Sequence, residues 1–305
     1  MIYLAAEHFA SPPQWTWYIL FYFFFAGLAG GSYVVATLLR VGGDVRDEPA
    51  SRIGFLVSFP ATLLCPILLT ADLGASWSRF WHMLVDVTPG DTGLILHYWS
   101  PMSMGAWALL IFGFFSFVSF VDAWLMDRRR RPLLPAPVGK LFNIVGSLLG
   151  LFIASYTGVL LSVSNQPVWS DTWALSGLFL ASGLSGGAAL IMLLVRNRPE
   201  AAFSLDRLRL ADGYFSILEL VLLIAFFVTV AAAGQAGRIV PWFPLWIVAV
   251  IGIGASLLGF RPARLRPTGG GGAAVVGVAM EATVVSVLVL IAVLAMRAAV
   301  IFSAQ

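Results

Sequence analysis

The feature that most constrains this chain is a series of eight apolar runs, each about long enough to cross a bilayer. A spanning helix needs roughly 20 apolar residues. We place the runs near residues 16–40, 52–72, 98–126, 138–164, 172–196, 212–234, 241–260 and 274–301. Continuous Leu, Val, Ile, Phe and Ala are typical of helices rather than of the alternating strands of a membrane barrel. With 60% apolar and 11% charged residues, the chain is predicted to be an all-α integral membrane protein.

The basic residues fall in alternate connections between these runs. Of the 18 Lys and Arg residues, 15 lie in the first, third, fifth and seventh connections, and the exceptions are Arg79, Arg238 and Arg297. Because cytoplasmic loops are enriched in positive charge, both termini are predicted to lie outside the cytoplasm. The N-terminal segment carries Glu7 and no basic region, so we expect no cleaved signal peptide. The net charge of +3 reflects topology, and no nucleic-acid partner is predicted.

A weak internal repeat links the two halves of the chain. Gly27–Gly31 in the first span is echoed by Gly183–Gly187 in the fifth span. Four spans separate the copies, so both run in the same direction, and glycines at i and i+4 let helices approach closely. We therefore predict two four-helix bundles, residues 1–164 and 165–305. Chance recurrence in a chain rich in Gly and Ala is the alternative.

Ionisable residues inside the spans are functional candidates because they are costly in a bilayer. Glu219 and Glu281 lie about two turns into their helices from the cytoplasmic side, and with Asp122 they are candidates for a proton pathway. Asp122 and Asp212 also fit a second interpretation, in which they are solvated helix ends.

Metal-based redox chemistry within this chain is not expected. The three histidines, His8, His82 and His97, all belong to the outer side, whereas a membrane b-type haem needs paired ligands on facing helices. The single cysteine, Cys65, cannot hold an iron–sulfur cluster alone. We therefore expect no metal, haem or cluster here, and a redox role would need an organic carrier.

Three polar residues near the outer ends of spans suggest such a carrier site. Tyr156 lies about two turns from the outer end of the fourth span, and a phenol at that depth needs a hydrogen-bond partner. Together with Asp72 and His97 it would suit a lipid-soluble quinol, whose oxygens need hydrogen-bonding groups and whose protons must leave through bases near water. These three residues are the catalytic candidates. The alternative is that they are ordinary interface anchors.

The second connection, residues 73–97, is long and rich in aromatic residues. Trp77, Phe80 and Trp81 lie within it, and Tyr98 and Trp99 follow directly. An apolar segment outside the membrane either lies in the headgroup region or docks a partner.

Four local motifs lie in this part of the chain: LTADLG from Leu69, RFWHML from Arg79, SPMSMGAW from Ser100 and YTGVLLS from Tyr156. Together they resemble the NrfD/PsrC family, the membrane subunits of polysulfide-reductase-type complexes, over about residues 15–200. The family more often has Trp at the position of Met104, so both menaquinone and ubiquinone remain open.

This resemblance implies a haem-free, eight-helix, quinone-reactive subunit of a prokaryotic cytoplasmic membrane. It also implies an extracytoplasmic ferredoxin-like iron–sulfur partner, often with a molybdopterin catalytic subunit beyond it. Tyr156 is implied to contact quinone, and we add Ser100, His82 and Thr157 from the quoted motifs to the candidate contacts. The expected function is electron exchange between the quinone pool and the partner, with proton translocation as an optional coupling. A secondary transporter and a purely structural membrane anchor are the alternatives.

Overall fold

The fold is almost entirely helical in the computed structural model, which describes residues 8, 10–74, 76–90, 93–196, 198–259 and 272–305, the last segment with side chains from residue 282 onward. The α-helices are α1 (Trp17–Gly42), α2 (Glu48–Asp72), α3 (Pro101–Arg129), α4 (Ala136–Ser162), α5 (Leu175–Val195), α6 (Leu205–Ala232), α7 (Ala236–Ile239), α8 (Phe243–Gly259) and α9 (Gly272–Ser303). Eight segments built on these helices are long and apolar enough to cross a membrane. The prediction of an all-α protein with eight spans is confirmed.

The helix boundaries follow local sequence signals. Thr16 caps α1 by accepting a hydrogen bond from the backbone N–H of Tyr18, and Ser100 caps α3 in the same way from Ser103. Such hydroxyls satisfy backbone donors that have no partner within the helix. The sixth helix begins at Leu205, seven residues before the predicted start of its apolar run. Its first turns carry charged residues because they extend beyond the apolar layer.

The helix directions define two faces. The terminal face is the one where α1, α3, α5 and α8 begin and where α2, α4, α6 and α9 end. The basic face is the opposite one. The chain end belongs to the terminal face, and His8 also lies there, next to Asp171 in the connection between α4 and α5.

The two copies of the glycine repeat pack directly against each other. A Cβ added at Gly31 would overlap the carbonyl oxygen of Gly183, and one added at Gly187 would overlap the backbone of Gly31. The absence of side chains thus lets α1 and α5 cross backbone to backbone. These are the two most buried spans, and both also pack against α4 and α9. The grouping of the spans into two bundles stays a prediction.

Ion pairs on the basic face tie the first spans to the connection between α5 and α6. Asp127 at the end of α3 pairs with both Arg52 and Arg198. Asp47, which is fully buried, pairs with Arg207 and accepts a hydrogen bond from Ser204. Each acid bridges segments distant in sequence, so this face is held together by charge as well as by apolar packing.

Candidate functional site

Tyr156 is held in a slot between α4 and α3. Its side chain is 5% exposed, and its hydroxyl donates a hydrogen bond to the carbonyl oxygen of Pro101 at 2.5 Å. The slot exists because residue 105 is glycine: a Cβ there would lie 2.5 Å from Cε1 of Tyr156 and closer still to its hydroxyl oxygen. Phe152 stacks against the ring one turn earlier on α4. The phenol is therefore fixed at the start of α3, near the terminal face.

The chain entering α3 is pinned next to this phenol. The backbone N–H of His97 donates to Ser103 Oγ at 3.1 Å, and that of Ser103 donates to Ser100 Oγ at 3.4 Å. The indole of Trp107 donates to the carbonyl of Ile95 at 2.6 Å. The imidazole of His97 remains exposed beside Trp99, with ring centroids 5.0 Å apart. The structure thus brings His97, Ser100 and the Tyr156 acceptor into one turn.

Asp72 lies at the last residue of α2 and is partly buried. Thr16 Oγ donates to its carboxylate at 3.4 Å, which connects the end of α2 to the start of α1. Among the hydrogen bonds of the described residues, none joins Asp72, His97 and Tyr156 to one another. The structure therefore places the three catalytic candidates at one face but does not join them into a bonded triad.

The two remaining candidate contacts have different surroundings. Thr157 is fully buried, and its hydroxyl donates to the carbonyl of Ala154 on its own helix at 3.4 Å. His82 lies in a 3₁₀ turn, Trp77–Met83, with its ring edge-on to Trp81. Thr157 is thus part of the helix packing behind Tyr156, whereas His82 belongs to the connection above the membrane.

The aromatic connection forms an exposed platform on the terminal face. After the 3₁₀ turn, Val85 and Leu94 form an isolated antiparallel bridge. Side chains of the connection and of the residues after it remain largely exposed: Trp77, Phe80, Tyr98 and Trp99 at 60%, 57%, 77% and 67%. The pKa of Asp86 is lowered by hydrogen bonds from the hydroxyl and backbone N–H of Thr88, which keeps this turn ionised. Contiguous exposed aromatic surface of this kind marks an interaction site.

A second group of ionisable residues runs through the later spans. Asp212 is 2% exposed and accepts hydrogen bonds from Ser185 at 2.6 Å and Ser256 at 2.7 Å. Glu219, seven residues further along α6 and 3% exposed, interacts electrostatically with both Asp212 and Arg297. For Asp212 the solvated-end interpretation is therefore wrong. The spacing of Asp212, Ser216 and Glu219 on one face of α6 was a signal in the sequence.

Arg297 is fully buried where α9 meets α1 and α5. Its Nη2 donates to the carbonyl of Phe179 at 3.2 Å and to Ser182 at 3.0 Å, and its guanidinium lies 4.7 Å from the Phe179 ring centroid. Its Nε and Nη1 have no hydrogen-bond partner. Gly27 provides room for it, because a Cβ there would crowd the guanidinium. The sequence placed Arg297 near the outer side but gave no sign of this burial.

The other two proton-pathway candidates differ from Glu219. One carboxylate oxygen of Asp122 accepts backbone N–H groups of Leu133 and Leu134, and the other pairs with Arg40 at 3.1 Å. This arrangement favours an anchoring role, since all of these donors stabilise the ionised form. The side chain of Glu281 lies outside the described residues. Its predicted role stays a prediction.

Taken together, the eight spans, the buried phenol and the exposed platform define a multi-pass membrane protein with a polar site at one face. In the part of the chain that the structure describes, no group of three or more His, Cys, Asp or Glu side chains could hold a metal ion. The profile of the family described as Polysulphide reductase, NrfD, matches residues 6–305. The chain belongs to this family, as its motifs predicted.

Individual relatives are consistent with that assignment. The chain is similar to Protein NrfD of Escherichia coli, with 28% identity over 257 residues, 78% of each protein. It is also similar to a component of the polysulfide reductase of Wolinella succinogenes, with 26% identity over 70% of this chain and 69% of that one. A component of the selenate reductase of Mesobacillus selenatarsenatis is 23% identical over 61% of this chain and 41% of its own length.

Proposed function

We propose that this chain exchanges electrons between the membrane quinone pool and an iron–sulfur subunit docked on the terminal face. The observation that carries the proposal is the fixed phenol of Tyr156, which lies at the start of α3 close to the exposed aromatic connection. The family supports it, because relatives are named as components of a polysulfide reductase and a selenate reductase. Quinol, as the substrate, supplies two electrons and two protons, with menaquinone and ubiquinone both fitting this chemistry.

In this proposal the terminal face is extracytoplasmic. The described arginines gather at the basic face, where Arg40, Arg52 and Arg207 are engaged in ion pairs. Enrichment of positive charge on the cytoplasmic side places that face inward. Both termini then lie outside the cytoplasmic membrane of a prokaryote.

The residues of the site take distinct roles. Tyr156 donates a hydrogen bond that orients a quinone oxygen, in exchange for its present bond to the Pro101 carbonyl. Asp72 and His97 accept the two released protons, because the carboxylate is partly exposed and the imidazole is exposed at the same face. Ser100 and His82 border the path of these protons to water, and Thr157 supports Tyr156 from behind.

The aromatic connection is the proposed docking surface for the partner. Trp77 and Phe80 are more than half exposed, and Tyr98 and Trp99 extend the same apolar area. Aromatic residues are enriched in protein interfaces, where they bury large rigid surfaces. A ferredoxin-like iron–sulfur subunit seated here would receive electrons directly from the site, and a molybdopterin catalytic subunit would follow it.

A proton route through the second half would make the reaction electrogenic. Asp212 lies about 10 Å along α6 from its basic end, and Glu219 lies about 10 Å further, at 1.5 Å per residue. A small cavity bordered by Arg209, Asp212 and Gly259 opens at the basic end. Buried acids at successive depths are typical of proton relays, with Arg297 as the fixed positive charge beyond Glu219. Asp122 and Glu281 remain additional candidates, and residues 1–164 and 165–305 remain the proposed bundles.

The electron-transfer proposal is tested by replacing Tyr156 with phenylalanine in the intact complex. We expect quinol oxidation, followed through bleaching of the partner's iron–sulfur absorbance, to fall by at least 10-fold, because one hydrogen bond to the reacting oxygen is removed. Tyr18→Phe is the matched control, since Tyr18 is half exposed on the same face. Normal turnover in Tyr156→Phe would contradict the proposal. A transporter would purify without iron–sulfur absorbance, and a structural anchor would retain the partner without quinol oxidation.

The proton route is tested with Glu219→Gln, which keeps the size of the side chain. We expect quinol oxidation to continue while proton translocation by the reconstituted complex is lost. Glu200→Gln is the control because Glu200 is exposed on the basic face. Unchanged translocation in Glu219→Gln would exclude this route.

A further inference from the structure

A large apolar groove lies on the outside of the later spans, away from Tyr156. It has a volume of about 530 Å³ and is bordered by α6, the short α7 and α8. Its lining includes Phe227 and Ala231 from α6, Ile239 from α7, and Phe243, Trp246 and Ile247 from α8. Ligand pockets in proteins have volumes of roughly 300–1,000 Å³, so the groove is large enough for a specific ligand.

The groove follows from how α6 and α8 meet. Near the basic face hydrogen bonds join them: Ser216 donates to Ser256 at 2.8 Å, and Ser256 donates to Asp212 at 2.7 Å. Near mid-span the ring of Phe227 packs on Trp246 with centroids 4.9 Å apart. Beyond this contact the chain leaves α6 through α7 before entering α8, and the groove occupies the space between them.

The lining defines the chemistry of what can occupy the groove. Every side chain that borders it is apolar, so its occupant presents a hydrocarbon chain there. The groove lies beside spanning helices, and bilayer lipid is the hydrocarbon available at that position. A partner helix fits less well, because a helix with its side chains is about 10 Å across and needs a broad face.

A single cation lies at the end of the groove on the terminal face. Arg238 belongs to α7, two residues after Ala236 and one before Ile239, both of which line the groove. Its side chain is exposed, and no ion pair among the described residues includes it. Cations near a membrane surface attract anionic lipid headgroups. A neutral quinone ring would leave this charge unpaired.

We propose that the groove binds one anionic phospholipid, with an acyl chain between α6 and α8 and its phosphate paired with Arg238. This site is separate from the electron-transfer site and does not depend on the proposed function. The two features that specify the ligand are the wholly apolar lining and the isolated guanidinium at its mouth.

The test uses the full chain, with any subunits that purify with it, in nanodiscs of phosphatidylcholine. Phosphatidylglycerol with brominated acyl chains is added, since bromine quenches tryptophan fluorescence at short range. The difference between the unaltered protein and Trp246→Phe isolates the quenching of Trp246. We expect this quenching to saturate at a small mole fraction of phosphatidylglycerol and to need about five times more brominated phosphatidylcholine.

Two variants and a control separate the headgroup from the chain. Arg238→Gln should abolish the roughly fivefold preference for phosphatidylglycerol, as expected for one charge near a membrane surface. Ala231→Phe should reduce quenching by both lipids, because it fills the groove. Arg79→Gln, which alters another exposed arginine of the terminal side, should leave the preference intact.

Three results would overturn the proposal. Equal quenching by both brominated lipids, unaffected by Arg238→Gln, would show that no headgroup is recognised. Displacement of the quenching by decylubiquinone at equimolar amounts would identify a quinone tail as the occupant. Absence of Trp246 quenching in the purified complex, with the groove covered by another subunit, would identify a protein contact.

Discussion

Gly105→Ala tests whether the fixed position of the Tyr156 phenol matters for turnover, without removing its hydroxyl. The new Cβ would lie 2.5 Å from Cε1 of Tyr156 and closer still to the hydroxyl oxygen, whereas real Cβ contacts stay above 3.0 Å. The ring must therefore move by about 1 Å, and its bond to the Pro101 carbonyl is broken. A displacement of that size costs roughly 100-fold when it affects reacting groups.

The expected effect of Gly105→Ala is thus a 10- to 100-fold decrease in kcat/KM for quinol oxidation, measured with a soluble quinol analogue in the purified complex. Gly113→Ala on the same helix is the control, because the nearest atom to its new Cβ is Thr62 Cγ2 at 4.0 Å. In the Tyr156→Phe background, Gly105→Ala should have little further effect on turnover if both act through the phenol. A stable Gly105→Ala complex with turnover within twofold of normal would refute the reasoning.

Three further predictions concern assembly and stability. Gly31→Ala should destabilise the fold by about 2 kcal/mol, because its Cβ overlaps the Gly183 carbonyl; thermal unfolding in detergent measures it, with Gly42→Ala as the control in open space. Asp122→Asn should cost about 3 kcal/mol, since it leaves the poorly exposed Arg40 without one of its partners; an unchanged Tm would contradict this. Trp77→Ala combined with Phe80→Ala should reduce recovery of the iron–sulfur subunit in a pull-down at least 10-fold, and full recovery would exclude the aromatic connection as the docking surface.

The spans could be predicted because apolar run length is a local property of the chain. The sequence also indicated that the repeat Gly27–Gly31 and its echo allow close packing. It could not show that the two copies pack on each other, because the offset between them contains no information on which helices are neighbours. The early start of α6 at Leu205 was missed because apolar content does not mark where a helix ends outside the membrane.

The site was only partly predictable. Tyr156 was found, but its partner is a backbone carbonyl 55 residues away, and a backbone acceptor has no sequence signature. Gly105 has meaning only once the phenol lies against it. Asp212 was open to two interpretations because its hydroxyl partners come from α5 and α8, which no local pattern connects.

The most direct test of the central claim is photoaffinity labelling of the intact complex with an azido-quinone, followed by peptide mapping. The account predicts labelling in the segments that contain Tyr156 and Pro101–Gly105, with loss of label when unmodified quinol is in excess. Labelling confined to α6 and α8, with none near Tyr156, would contradict it.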